Sequence, residues 1–140
     1  MTEPEITSTT ARLTSRLRQL LAMLGAEFLL GMGANLIGLP SEVTGGARAV
    51  TLTLIGLHAL LGVGILVLSL LAMRSAQEVQ LATGATRNGL IAVVVTFLAG
   101  MATLGTGNGW LSFVMAAGFL AAAALYGAAY LEATRPAARA

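Results

Sequence analysis

Cysteine, lysine and aspartate are missing from this sequence of 140 residues, and histidine occurs once. Without cysteine the chain has no disulfide, no thiolate ligand and no thiol redox chemistry. Without aspartate, and with a single histidine, it lacks the three or four ligands that a protein metal site needs. Charged residues make up 10% of the chain, against roughly 25% in soluble domains. This composition excludes an ordinary soluble domain.

Apolar residues make up 56% of the chain, and the mean hydropathy is +0.84. They form four blocks, at about 19–39, 49–73, 89–107 and 110–131. Each block meets the requirement of about 20 residues for a helix that crosses about 30 Å of hydrocarbon. The pattern predicts an all-α integral membrane protein whose short connections make successive helices antiparallel, in an up-down-up-down four-helix bundle. The predicted parts are a cytoplasmic segment 1–18, a single four-helix domain 19–132 and a cytoplasmic tail 133–140.

The arginines predict which way the helices run, because cytoplasmic flanks retain an excess of positive charge. Seven of the eight arginines flank the first block, the connection 74–88 or the C-terminal end, and only Arg48 lies on the opposite side. We therefore predict a multi-pass protein of the bacterial cytoplasmic membrane with both termini inside, and with 40–48 and a turn near 105–109 outside. The basic pI then reflects topology and gives no indication of nucleic-acid binding. Residues 1–11 are polar, and we expect them to lack regular structure.

Polar and small residues recur at steps of three or four along each helix, and so mark one face. The predicted faces are Glu27, Gly31, Ala34, Asn35 and Gly38 in helix 1; Thr51, Ile55, His58, Gly62, Ile65 and Ser69 in helix 2; Gly89, Val93, Thr96, Gly100, Thr103 and Gly107 in helix 3; and Ser112, Ala116, Phe119, Ala123, Tyr126 and Tyr130 in helix 4. Lipid is as apolar as leucine, so helices associate through small residues and buried hydrogen bonds. The four faces are predicted to line one interior. Trp110 at the outer interface, and Tyr126 and Tyr130 at the inner one, are the expected aromatic anchors.

Two similar segments suggest an internal repeat. FLLGM at 28–32 matches FLAGM at 97–101, which places Thr96 where helix 1 carries Glu27. Both hairpins begin on the cytoplasmic side, so a true repeat would relate them by an axis along the membrane normal. Chance similarity in a biased composition is the alternative.

In helices 2 and 4, aligning Gly64 with Gly118 puts Ser112 opposite His58. If the repeat is real, one half has an ionisable pair where the other has hydroxyl groups.

Glu27 and His58 are the ionisable residues well inside the apolar blocks. The helical rise puts Glu27 about 12 Å above the cytoplasmic end of helix 1 and His58 about 14 Å below the outer end of helix 2. In a core about 30 Å thick these depths are similar, so the two side chains can meet. Three interpretations stay open: a polar latch between helices 1 and 2, a proton site with His58 or water as relay, and a ligand or cofactor site. Asn35 and Thr96 are the further candidates for a proton or ligand site.

Haem is the cofactor to test first, because HALLG at 58–62 resembles the His-x-x-x-Gly spacing on haem-bearing helices of membrane cytochromes b. The resemblance implies a b-type haem held by His58. Since the chain has one histidine, the second ligand would come from a second copy, a partner protein, or a methionine such as Met32 or Met115. The cofactor stays unknown, and no catalytic or metal-binding set is predicted.

Two resemblances bear on function. The Ala-Glu pair at 26–27, the chain length and the four helices resemble the small multidrug resistance transporters, in which a first-helix glutamate exchanges protons for cationic drugs. Over the whole length the chain is more similar to uncharacterised small four-helix membrane proteins of high-GC bacteria, through EFLLGMGANL at 27–36 and HALLGVGIL at 58–66. That resemblance implies no activity.

The leading hypothesis is a non-enzymatic membrane protein that acts through helix packing, as an accessory or interaction subunit. Its expected partners are the lipid bilayer and either a second copy or another membrane protein. The alternatives are a small proton-coupled transporter that uses Glu27 and a haem-binding membrane protein that uses His58.

Overall fold

The computed structural model describes residues 2–38 and 40–135 of the chain. Within them lie four α-helices: α1 (Glu3–Ile37), α2 (Gly45–Val79), α3 (Thr83–Thr106) and α4 (Gly109–Thr134). Each helix is long and apolar enough to cross a membrane. α1 packs most extensively on α2, and α3 on α4, while the smaller α2–α3 and α1–α4 contacts close the ring. The predicted all-α, four-helix bundle is confirmed.

The first helix begins much earlier than predicted. It starts at Glu3, so the expectation that residues 1–11 lack regular structure is wrong for residues 3–11. The amide of Thr2 donates a hydrogen bond of 2.7 Å to the Glu5 carboxylate, which satisfies one of the free amides at the helix start. Farther along, Leu13 and Leu17 are fully buried. The segment before the first predicted span therefore packs onto the bundle as a continuation of α1.

The connection between α2 and α3 is only residues 80–82, where 74–88 was predicted. This connection contacts α4 directly, since the amide of Ala82 donates a hydrogen bond of 3.1 Å to the Glu132 carboxylate. Both Gln80 and Ala82 have left-handed backbone conformations, which allow α2 to reverse into α3 over three residues.

The helical turns of α2 that extend beyond its predicted end at residue 73 are bonded to α1. Arg16 donates to the carbonyl of Leu71 at 2.8 Å and also to the Ser75 hydroxyl. Ser75 and its neighbour Ala76 are buried. These contacts explain why α2 stays helical beyond its most apolar part.

The other two connections are close to those predicted. Residues 38–44 join α1 to α2, and 107–108 join α3 to α4, where Asn108 caps α4 by accepting from the Trp110 amide at 2.9 Å. Leu39, the predicted last residue of helix 1, lies outside the described residues, as do residues 136–140 of the predicted tail.

The buried core lies in the half of the bundle that holds the α2–α3 connection. Its members include Leu13, Leu17, Leu20 and Leu24 of α1, Ile65, Ala72 and Ala76 of α2, Val93 of α3, and Ala122, Tyr126 and Ala129 of α4. Toward the opposite end, large apolar side chains are exposed instead, among them Leu36 at 80% and Leu104 at 59%. The bundle is therefore packed most tightly at the end with the α2–α3 connection.

Most of the predicted inward faces are confirmed, with Thr51, Ser69, Gly89 and Val93 among the buried positions. The exceptions Asn35, Gly107 and Ala116 are exposed, so their inward assignment is wrong. The buried leucines of α1 were not predicted. Leu20 and Leu24 lie in a stretch that is apolar all round and offers no polar contrast to reveal its face. Leu13 and Leu17 recur at helical spacing among polar residues, but they precede the first predicted span.

Tyr126 is fully buried, so its predicted role as an interfacial anchor is wrong. Its ring lies against Gly89 of α3, where an added Cβ atom would come within 2.8 Å of the ring carbon Cε1. Tyr130, one turn farther along α4, is half-buried and stays a candidate anchor.

Replacing Gly89 by alanine should destabilise the α3–α4 contact. The new methyl group would overlap the Tyr126 ring, and overpacking of this kind costs about 1–3 kcal/mol. Unfolding of the purified protein in mixed detergent micelles measures the loss. The control is Gly84→Ala in the same helix, where no atom lies within 4 Å of the added carbon. Equal stability of the two variants would contradict this packing.

The predicted orientation can be tested with single cysteines, because the chain has none of its own. Ser41→Cys, in the α1–α2 connection, should react with a membrane-impermeant maleimide in intact cells that express the protein. Gln77→Cys, exposed near the cytoplasmic end of α2, should react only after permeabilisation. The reverse pattern would mean that both termini lie outside.

Candidate functional site

Glu27 of α1 and His58 of α2 lie side by side, as their depths predicted. The Nδ1 atom of His58 is 3.2 Å from Oε1 of Glu27 and 3.3 Å from the Glu27 backbone oxygen. A backbone carbonyl can only accept a hydrogen bond, so this geometry favours the tautomer with its proton on Nδ1. The imidazole then donates toward both oxygens and ties α2 to α1.

Two glycines let the pair approach so closely. A Cβ atom added to Gly31 of α1 would lie 3.2 Å from His58 Cε1, and one added to Gly62 of α2 would lie 3.2 Å from Glu27 Oε1. Each ionisable side chain thus rests against a glycine of the opposite helix. Both side chains are largely shielded, with 13% of Glu27 and 29% of His58 exposed.

The second carboxyl oxygen of Glu27 has no such partner. Oε2 is buried and makes no hydrogen bond within the described part of the chain. The ring of Phe97 on α3 also contacts Gly62, because its Cδ2 atom would lie 3.6 Å from an added Cβ. Glu27 therefore lies where α1, α2 and α3 come together, with one oxygen paired and one available to hold a proton.

The other two candidates do not join this pair. Asn35 is exposed in the last turn of α1, eight residues beyond Glu27. Thr96 lies in the α3–α4 contact, where its buried hydroxyl has no hydrogen-bond partner among the described residues and would collide with a Cβ atom on Gly118. The residues that sequence reasoning missed are the neighbours of the pair, chiefly Phe97. Its match to Phe28 in the repeat was the one available signal.

Each of the two hairpins, α1–α2 and α3–α4, has an equivalent glycine contact between its own two helices. Gly31 of α1 meets His58 of α2; its repeat equivalent, Gly100 of α3, meets Met115 of α4, whose sulfur would lie 3.2 Å from an added Cβ. Met115 therefore lies against Gly100 as His58 lies against Gly31, whereas the alignment of Gly64 with Gly118 puts Ser112 opposite His58.

Contacts between the hairpins follow the same pattern. Phe97 of α3 packs on Gly62, while its equivalent Phe28 of α1 stacks on Phe119 with ring centroids 5.5 Å apart. Gly62 follows His58 by four residues, as Phe119 follows Met115 by four. The contacts of the two hairpins thus correspond at these positions, as expected of a parallel repeat, and only the first hairpin carries ionisable groups at this level.

The methionines considered as haem ligands lie elsewhere. Met115 packs on Gly100 between α3 and α4, and Met32 is exposed on the surface of α1. Among the described residues no group of three or more His, Cys, Asp or Glu side chains lies together. No protein-family model, curated protein or solved structure matches the chain.

A double-mutant cycle should detect the contact between Glu27 and His58. We expect Glu27→Ala and His58→Ala each to lower the free energy of unfolding, and the double variant to lose about 1 kcal/mol less than the sum, because either single change already removes the contact. Unfolding in mixed micelles supplies the four values. Asn35→Ala combined with His58→Ala is the control, since Asn35 is exposed and its effect should be additive. An additive Glu27–His58 cycle would show that the contact contributes nothing to stability.

Proposed function

We propose that this chain is a non-enzymatic, multi-pass protein of the bacterial cytoplasmic membrane that acts through helix packing, as an accessory or interaction subunit. The observation that carries the proposal is the Glu27–His58 contact. The two ionisable side chains at the middle of the helices are directed at each other, and each rests against a glycine of the other helix. That arrangement suits a latch, meaning a polar contact that sets the register of α1 and α2.

The rest of the molecule supports the same role. The four helices and their connections use nearly all of the described residues, so the helices themselves form the surface through which the protein can act. Much of that surface is apolar and lies toward the outer end, where Leu29, Leu36 and Phe113 are exposed. A second copy or another membrane protein would pack there in place of lipid.

The size of the assembly that contains this protein in native membranes tests the proposed role as an accessory or interaction subunit. The protein should be extracted from its own cells in a mild detergent and compared, by native electrophoresis, with the same chain purified from a heterologous host. An accessory subunit should migrate in a larger assembly in the native extract only. A self-associating protein should migrate as the same oligomer in both samples. A single chain in both extracts would overturn the proposal.

The second candidate is a small proton-coupled transporter, and the unpaired Oε2 atom of Glu27 favours it. A buried carboxyl oxygen without a partner is costly, unless the group carries a proton or binds a ligand during function. Ionisable residues inside membrane helices are functional by default.

Proton flux distinguishes the two candidates. In liposomes that contain a trapped pH-sensitive dye, a transporter should dissipate an imposed pH difference, and Glu27→Gln should abolish the flux while unfolding at nearly the same temperature. The latch predicts no flux in either protein and a lower stability for Glu27→Gln. An infrared titration of the protonated carboxyl band follows Glu27 directly. A Soret band that disappears in His58→Ala would instead identify a haem protein and overturn both candidates.

A further inference from the structure

A groove of about 600 Å³ lies at the cytoplasmic end of the bundle, between the extended start of α1 and the end of α4. Its walls include Ile6, Thr10, Thr14, Ser15 and Arg18 of α1 and Tyr130 of α4. Arg18 directly precedes the first apolar block, and Tyr130 lies near the end of the last one. The groove therefore opens at the level where the apolar surface ends and the headgroup region of a bilayer begins.

Three groups in the groove can donate hydrogen bonds to a ligand. The hydroxyls of Thr10 and Thr14 are already used, because they donate to carbonyl oxygens of their own helix at 2.9 and 3.0 Å. The side chains of Ser15, Arg18 and Tyr130, by contrast, make no hydrogen bond to any other residue that the structure describes.

The two arginines that precede Arg18 use their guanidinium groups in hydrogen bonds within the protein, whereas Arg18 does not. Arg12 donates to the Thr9 hydroxyl at 2.7 Å, and Arg16 donates to the carbonyl of Leu71 at 2.8 Å. The guanidinium of Arg18 is therefore available, and its planar fork matches the oxygens of a phosphate group. The nearby carboxylate of Glu132 accepts from the Ala82 amide, so its charge is directed at the α2–α3 turn.

Between the groove and the stacked rings of Phe28 and Phe119, α1 and α4 form the smallest of the four helix contacts, and we call this stretch of the two helices the seam. It passes Gly25 of α1 and Gly127 of α4, and at both glycines no atom lies within 4 Å of an added Cβ. The stacked rings of Phe28 and Phe119 close the seam at its far end. Arg18 and Phe28 are separated by about 15 Å of helix, which is close to half of a hydrocarbon core about 30 Å thick. The seam thus has the length of one lipid acyl chain in one leaflet.

We propose that the groove binds the phosphate headgroup of an anionic phospholipid of the cytoplasmic leaflet, with Arg18, Ser15 and Tyr130 donating to the phosphate oxygens. One acyl chain lies along the seam past Gly25 and Gly127. The seam identifies the ligand as a lipid, since a free phosphate ion would make no use of it. Basic pockets between membrane helices on the cytoplasmic side are typical binding sites for such headgroups.

Native mass spectrometry of the full-length protein in detergent tests the headgroup contacts. Titration with phosphatidylglycerol and with phosphatidylcholine should show tighter binding of phosphatidylglycerol, by roughly five-fold for one arginine at the surface. Arg18→Gln should abolish this preference. Arg87→Gln, which removes an exposed arginine of α3 outside the groove, should retain it. Equal loss in the two variants would overturn the site.

Two further measurements test the seam. Gly127→Leu should weaken the binding of both lipids, because its side chain fills the space proposed for the acyl chain while the three donors remain. Melting temperatures close to that of the wild type confirm that the variants are folded. Inorganic phosphate should displace phosphatidylglycerol only at far higher concentration. Wild-type lipid binding by Gly127→Leu, or displacement at equal concentrations of phosphate and lipid, would overturn the lipid assignment.

Discussion

Hydrocarbon offers neither hydrogen-bond partners nor a hydrophobic force between helices, and this constraint shapes the whole bundle. Helices in such a solvent associate where their backbones can approach closely. Glycines stand at the contacts accordingly: Gly31 and Gly62 between α1 and α2, Gly89 and Gly118 between α3 and α4. The side chains that fill these gaps are the polar or aromatic ones, so the same positions provide close packing and specificity.

The two ends of the bundle meet this constraint differently. At the end with the α2–α3 connection, Arg16 and Glu132 join neighbouring elements by hydrogen bonds, next to a core of leucine and alanine. Toward the opposite end the helices expose leucine and phenylalanine side chains and bury little. Glu27 lies one turn beyond Leu24, the last buried residue of α1, and so at the boundary between the two regions. A change in its charge would act at the point where the helices begin to be less tightly packed.

The corresponding contacts of the two hairpins give this boundary a further meaning. In the first hairpin, Gly31 receives the imidazole of His58 and Gly62 the carboxyl group of Glu27; in the second, Gly100 receives the thioether of Met115 and Gly118 the hydroxyl of Thr96. The glycine contacts of the second hairpin thus form without an ionisable pair. Packing alone therefore does not require the charges of the first pair, which makes Glu27 and His58 the most informative positions for function.

The sequence by itself determined the class of fold, because four apolar blocks of membrane-spanning length and the short segments between them allow few other arrangements. It also determined that Glu27 and His58 lie at similar depth, since helical rise converts position into height. It did not determine the start of α1, because burial of Leu13 and Leu17 against other helices outweighs the polar character of residues 3–11. Nor did it reveal the exposed position of Asn35, the contact of Tyr126 with Gly89, or the groove at Arg18. Rotation of each helix about its axis decides these features, and only contact with neighbouring helices sets that rotation.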